Sequence, residues 1–295
     1  MKNYIKKQTI FIGLVFTITF LIYSNLSYTG YAFSKETVSI LPMRSGPTTK
    51  LPWANDKRFL NAKKTNNTPI LMAAYKTVLI DPSPGEEYNV HLSARLLCGK
   101  ILKSGRVFSQ NKTVGPYTIT KGYRKGPTYT AGKVIKTTGG GVCKLATTLY
   151  NVVVLSNLQI IERYYHSMPV SYVPYGQDAT VSYGAHDFKF KNNKSFPILI
   201  WSKGVGDTLY IGFYGRGPSP KVSWNHKVLS VQKTKTIFKK NSKLKNGKRK
   251  VIIYGMDGKR VKSWIKIQYP NGKVQFKQLG VSKYKPLPYV IQINR

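Results

Sequence analysis

The chain has 295 residues, 41% hydrophobic and 13% aromatic, enough to bury the core of one large or two ordinary domains and too many for a stapled miniprotein. Forty-eight Lys and Arg against ten Asp and Glu give a net charge of +38 with only four His, so the excess does not depend on imidazole protonation and an anionic partner surface is expected. Two cysteines, Cys98 and Cys143, exclude a disulfide scaffold and any C-x-x-C zinc or redox motif.

Lys2, Lys6 and Lys7 precede an apolar run from Ile10 to Tyr23, the pattern of an export signal. The run is shorter than the roughly 20 residues an upright transmembrane helix needs, and Gly30-Tyr31-Ala32 supplies a small-x-small cleavage site. Residues 1–34 are therefore read as a signal peptide or, if uncleaved, a membrane anchor. The protein is expected outside the cytoplasm, in the cell wall or on the outer face of the cytoplasmic membrane. Export also separates a basic chain from nucleic acid, so polyanionic wall polymer or an anionic membrane face is the expected partner.

Residues 35–74 carry Pro42, Pro47, Pro52 and Pro69 without a sustained period and read as a spacer, with Trp53 and Phe59 as points of local order. From Tyr75, YKTVLI reads as a strand ended by the turn DPSPG at 81–85. NVHLSARLLCGKIL (89–102) places Val90, Ala94, Leu97 and Cys98 at helical spacing, with Cys98 as a small buried hydrophobe. RVFS (106–109) reads as a short strand, followed by a turn at Gly115-Pro116 and a polar, glycine-rich passage. Beyond the segment around Cys143, the pieces IIERYYH, PVSYV, ATVSYG, FKFKN and FPILIWS alternate and are turn-bounded, a β-rich pattern. The expected fold is α+β: over 75–215, a central helix packed on antiparallel strands.

Residues 216–295 hold 21 Lys and Arg against one acid, Asp257, a net +20. KVIIY, KSWIKIQY and KVQFKQL read as strands, and Asn246-Gly247, Asp257-Gly258 and Asn271-Gly272 as hairpin turns. This is a small all-β unit with a basic surface and little core. It is expected to bind rather than catalyse, and to be removable without loss of chemistry.

The chemistry concentrates at Cys143. It follows Gly139, Gly140 and Gly141 and opens a segment whose Leu145, Leu149, Val152 and Val153 line one helical face. A thiol at a helix start feels the positive end of the dipole, and Lys144 would act in the same direction. The glycines let a substrate carbonyl approach backbone N–H groups, so an oxyanion site can accompany the nucleophile. The same pattern also fits a glycine-rich turn before a core helix with a free cysteine at its end. A thiol nucleophile needs a proton acceptor. His91 lies in an ordinary helical stretch and His226 in the basic tail, which leaves His166 and His186. Asp178 and Asp187 lie close downstream, and either is suited to hold an imidazole in its useful tautomer. Taken singly, each also reads as a turn-capping Asp or a surface His. A metal site from Cys143, His166, His186 and Asp187 matches no zinc spacing, and paired glycosidase carboxylates, a G-x-S-x-G elbow and a P-loop are absent.

RVFSQNKTVGP (106–116), GGGVCKLATTLYN (139–151), ERYYHSMPVSYVPYGQDATVSYG (162–184) and DFKFKNN (187–193) together resemble the VanW domain, from about Tyr75 to Gly215. That resemblance implies an exported bacterial envelope protein and, as in some members, a cysteine L,D-transpeptidase that crosslinks peptidoglycan stem peptides. By motif it carries the cysteine of GGG-I/V-C onto Cys143, the histidine of H-S-x-P-V-S-Y onto His166 and the aspartate of D-A-T-V onto Asp178. Lys144 stands where Gln is usual, Ala146 and Thr147 replace a serine pair, and Tyr164 replaces a frequent histidine. Val228 to Asn294 more distantly resembles the G-five domain, a β-rich module of wall proteins thought to bind sugar polymers.

The expectation is a wall-directed cysteine acyltransferase that needs no cofactor or metal. Cys143 is the nucleophile, His166 the base and acid, and Asp178 or Asp187 its orienting carboxylate. Gly139, Gly140, Gly141, Lys144 and Ser167 form the oxyanion and substrate-binding surround. A hydrolase would use the same residues with water in place of an amine, and a non-catalytic wall-binding module would keep Cys143 as a structural residue.

Overall fold

A computed structural model describes residues 45–130 and 133–294. The export-signal reading of residues 1–34 and the first part of the 35–74 segment fall outside the described residues. Among the described residues no helix is long and apolar enough to cross a membrane.

The framework is a five-stranded antiparallel sheet in the order β1 (Gly46–Pro47), β2 (Ile70–Val78), β10 (Thr208–Gly215), β9 (Ile198–Val205) and β3 (Lys100–Leu102). β9 and β10 pair Val205 with Thr208 across Gly206-Asp207, where Gly206 has φ +52°, the positive value a tight hairpin needs at that site. Alternate residues of these strands point to opposite faces, and both faces are covered. Ile198, Ile200, Leu209, Ile211 and Phe213 meet two helices, α2 (Pro84–Leu97) and α4 (Cys143–Leu155). Both segments read as helical in the sequence, with the one opened by Cys143 as the central helix on the strands. α2 starts on a proline with Glu86 and Glu87 in its first turn and Arg95 in its last, each suited to the helix dipole.

Leu199, Trp201 and Tyr214 on the other face meet Trp53 and Phe59, and Trp53 donates its indole N–H to the Tyr214 hydroxyl at 2.8 Å. Phe59 belongs to α1 (Lys57–Thr65), which Asp56 caps by accepting from the N–H groups of Arg58 (2.8 Å) and Phe59 (3.3 Å). From residue 45 onward the stretch expected to be a spacer is thus built into the fold. Its two large aromatics bury against the sheet, which outweighs its lack of periodicity.

Three smaller pieces frame α4. β4 (Val107–Ser109), β8 (Lys189–Lys191) and β7 (Gln159–Glu162) form a sheet in that order, and α3 (Gln110–Val114) follows β4 directly. The polar, glycine-rich passage is an antiparallel hairpin, β5 (Lys125–Thr130) with β6 (Lys133–Thr138). PVSYV and ATVSYG, expected as strands, lie in a long loop over 163–188. That loop is tied by isolated bridges between Tyr164 and Thr180 and between Ser182 and His186. Their apolar alternation is real, but Val173, Ala179 and Val181 serve as buried loop anchors.

The C-terminal strands form two sheets. β11 (Lys221–Gln232), β14 (Gly258–Gln268) and β15 (Val274–Tyr284) pair in that order, as do β12 (Thr236–Lys240), β16 (Tyr289–Ile293) and β13 (Arg249–Ile253). Asn271-Gly272 closes the β14–β15 hairpin, with Gly272 at φ +82°. The other two expected turns do not close hairpins: Asn246-Gly247 joins β12 to β13, which flank β16 without pairing, and Gly258 opens β14. Nor is this unit self-contained. Ile265 and Ile267 belong to the same buried cluster as Leu145, Leu149 and Val153 of α4, and the Trp224 and Tyr150 rings meet edge to face at 5.4 Å.

Candidate active site

α4 begins at Cys143 because the three residues before Val142 have no side chains. Gly139 and Gly141 sit at φ +78° and +101°, a region closed to most L-residues. A Cβ on Gly140 would lie 2.1 Å from the Gly126 carbonyl oxygen, so the loop is pressed against β5. Asn89, buried on α2, fixes it there. Its Nδ2 donates to the carbonyls of Gly140 (2.9 Å) and Arg124 (2.8 Å), and its Oδ1 accepts from the Arg124 N–H (2.8 Å). The N–H groups of Gly141 and Cys143 have no acceptor among the described residues, as expected at a helix start without a side-chain cap.

The Cys143 sulfur lies 3.3 Å from Thr180 Oγ1 and 3.6 Å from the Val181 carbonyl, and it interacts with the His166 imidazole. His166 places Nδ1 2.7 Å from Asp178 Oδ2, which also accepts the His166 backbone N–H at 2.7 Å. With Nδ1 on the carboxylate, Nε2 is left for the thiol. Asp178 is 1% exposed, and its Oδ1 accepts from Arg163 Nη2 (3.1 Å) and from the Tyr284 hydroxyl. α4 grips the same loop: Thr147 Oγ1 exchanges hydrogen bonds with the N–H and carbonyl of Ala179, both at 3.0 Å, and Asn151 donates to the Gln177 carbonyl at 2.8 Å.

The electrostatics follow from this chain. Burial alone pushes the Cys143 thiol up, but its hydrogen bond to His166 and the imidazolium charge bring it down to about 7. Burial disfavours charged His166, yet the hydrogen bonds to Asp178 and Cys143 raise it to about 9. Asp178 is held down at about 2 against its own burial by His166 and then Arg163. Between about 7 and about 9, the pair is thiolate and imidazolium.

The other residues expected at the site are elsewhere. Asp187 accepts from Ser109 Oγ (2.5 Å) and the N–H groups of Asn111 (2.9 Å) and Phe188 (2.8 Å), so it anchors the start of α3 and does not orient the imidazole. Lys144 pairs with Glu86 and lies over the Tyr172 ring, which directs its charge to α2 instead of the thiol. Ser167 is exposed and contributes a carbonyl to the Lys285 N–H at 2.8 Å. His186 packs against Tyr164 with ring centroids 4.2 Å apart and planes tilted by 47°, also exposed. Among the described residues no cluster of His, Cys, Asp or Glu has the makings of a metal site. Sequence reasoning missed Asn89, Arg163, Thr180 and Tyr284. Of these only Asn89 left a local sign, a polar residue beside Val90 on a helix's buried face.

Comparison with known proteins bears on residues 85–214, which match the family model described as VanW like protein. The uncharacterized protein YoaR of Bacillus subtilis (strain 168) is 38% identical over 143 residues, 48% of this chain and 47% of that protein. The vancomycin B-type resistance protein VanW of Enterococcus faecalis (strain ATCC 700802 / V583) is 33% identical over 119 residues, 39% of this chain and 43% of that one. The chain thus spans just under half the length of each of these curated relatives. Among solved structures, the G5 domain of an IgA1 protease matches 26% of this chain and 93% of its own at 17% identity and TM-score 0.17. HP0197-G5 matches 25% and 99% at 16% identity and TM-score 0.15.

Proposed function

We propose that the VanW-like domain carried by this chain is a cysteine acyltransferase of the cell envelope, acting on peptidoglycan stem peptides through a thioester at Cys143. The observation that carries this reading is His166 bonded to the buried Asp178 carboxylate and lowering the Cys143 thiol, at a helix start where the N–H groups of Gly141 and Cys143 have no acceptor among the described residues.

The Cys143 thiolate attacks an amide carbonyl next to a D-residue, and the carbonyl electrons move onto oxygen. The N–H groups of Gly141 and Cys143, which have no acceptor among the described residues, are the donors for that developing charge, and one such donor is worth roughly 10²–10³ in rate. Collapse of the tetrahedral species breaks the C–N bond. Protonated His166 gives its proton to the departing amine, the terminal D-amino acid leaves, and a thioester remains with neutral imidazole. An amine from a neighbouring stem then attacks the thioester carbon while His166 accepts its proton, and the thiolate departs. Asp178 keeps Nδ1 protonated and stabilises each imidazolium. The basic strands after residue 216 keep the enzyme on anionic wall polymer and raise its local concentration there.

The test is product analysis after incubating the chain with disaccharide-tetrapeptide. Crosslinked dimer that Cys143→Ala fails to make supports the acyltransferase. Trimmed monomer without dimer means water resolves the thioester, and the enzyme is a hydrolase. Unchanged substrate from a sample that still binds wall sacculi makes the domain a binding module.

A further inference from the structure

The basic C-terminal strands reach the catalytic carboxylate itself. Tyr284, the last residue of β15 and 5% exposed, donates its hydroxyl to Asp178 Oδ1 and accepts the Gly176 N–H at 2.8 Å. Ser282, two residues earlier on the same face, accepts from Arg163 Nη1 at 3.0 Å. Arg163 also donates to the Asp178 backbone carbonyl, from Nε at 2.8 Å and Nη2 at 2.6 Å, and to Asp178 Oδ1. Further bonds fasten the same loop: the Tyr175 hydroxyl to the Asp257 carbonyl at 2.7 Å, the Lys285 N–H to the Ser167 carbonyl at 2.8 Å, and Gln177 to His226 at 3.1 Å.

We infer that residues after 216 are part of the catalytic apparatus: Tyr284 and Ser282, with Arg163, are positioning residues that hold the Asp178 carboxylate, and through it the His166 imidazole, toward Cys143. This rests on the reading of Cys143 as the nucleophile. A carboxylate shut away from water must have its lone pairs met by donors, and which donors meet them fixes its rotation. Oδ2 receives both His166 donors, so the imidazole can hold its angle only if Oδ1 is held as well. Oδ1 receives only Arg163 and Tyr284 among the described residues. The titratable groups around Asp178 are Arg163 and His166 on its own loop, Tyr172, Tyr150 of α4, and Tyr284. Burial and the Asp178 charge both keep the Tyr284 proton on its oxygen, so it serves as a donor. Truncation at 216 would therefore remove chemistry together with wall retention, contrary to the expectation of a separable module.

The test uses the full chain and follows iodoacetamide alkylation of Cys143 against pH, read on the Cys143 peptide by mass spectrometry. In the unmodified protein the midpoint is expected near 7. Tyr284→Phe removes one of the two donors to Oδ1, loosens the imidazolium, and should move the midpoint by about half a pH unit or more toward the free-cysteine value of about 8.5. Tyr175→Phe breaks a bond of the same interface without touching the carboxylate and should leave the midpoint in place. Should Tyr284→Phe fail to fold, Ser282→Ala carries the test, with a smaller shift in the same direction. A folded Tyr284→Phe with an unshifted midpoint overturns the inference alone, as does an equal shift in Tyr175→Phe. A midpoint near 8.5 in the unmodified protein overturns the nucleophile reading as well.

Discussion

The two cysteines stand at opposite kinds of helix end. Cys143 opens α4, where the N–H groups of Gly141 and Cys143 have no acceptor among the described residues, and Cys98 closes α2, its own N–H bonded to the Ala94 carbonyl at 2.9 Å. Burial raises both thiols. At Cys98, packed against the Trp53 and Phe59 cluster, burial prevails and the thiol is pushed up. At Cys143 the imidazolium of His166 reverses the sign. Burial thus acts in the same direction on both thiols, and the charge partner of Cys143, bonded to a carboxylate that also accepts from Arg163 and Tyr284, sets the two apart.

The contrast breaks first on the sulfur atoms themselves. Cys143→Ala should abolish crosslinking and leave the thermal transition close to that of the unmodified chain, whereas Cys98→Ala should keep full turnover and lose about 1 kcal/mol of stability by denaturant unfolding. Equal losses of turnover in the two variants would remove the distinction.

The two aspartates sharpen it next. Asp178→Asn should lower kcat by roughly 10³–10⁴, through loss of the correct tautomer and of imidazolium stabilisation. Asp187→Asn should reduce stability by about 1–2 kcal/mol with kcat within about twofold, because the Asp187 carboxylate braces the start of α3 and the Phe188 N–H and does not touch the imidazole. A comparable fall in kcat from Asp187→Asn would return it to the site.

The pH dependence is a smaller and finer test. The rate should rise as the Cys143 proton leaves near 7 and fall as His166 loses its own near 9, giving a bell between those values. Asp178 also contributes to stability. Its folded pKa is depressed, so its contribution is complete above the unfolded carboxylate value of about 4 and is lost as pH falls toward about 2. Acid unfolding of Asp178→Asn should accordingly show a weaker pH dependence in that window.

How much of this the sequence revealed depends on the range of each interaction. The triple glycine, the apolar face after Cys143, His166 and Asp178 were legible because each leaves a local or nearby pattern. Adjacency in the chain points Lys144 toward the thiol, yet its partner Glu86 is 58 residues away. Asp178 and Asp187 were equivalent on spacing, and only the three-dimensional path of the 163–188 loop separates them. Trp53 and Phe59 had no periodic context, although their size alone suggested a core contact. Tyr284 meets Asp178 across 106 residues, and no pattern within a basic, alternating strand marks one tyrosine as the holder of a distant carboxylate.

The central claim, that Cys143 becomes acylated, is tested most directly by intact-mass and peptide analysis of the full chain quenched in acid during reaction with disaccharide-tetrapeptide. The account predicts a mass increase equal to the donor less its terminal D-amino acid, located on the Cys143 peptide and absent from Cys143→Ala. Product formation with no adduct on Cys143, or an adduct that persists in Cys143→Ala, would contradict it.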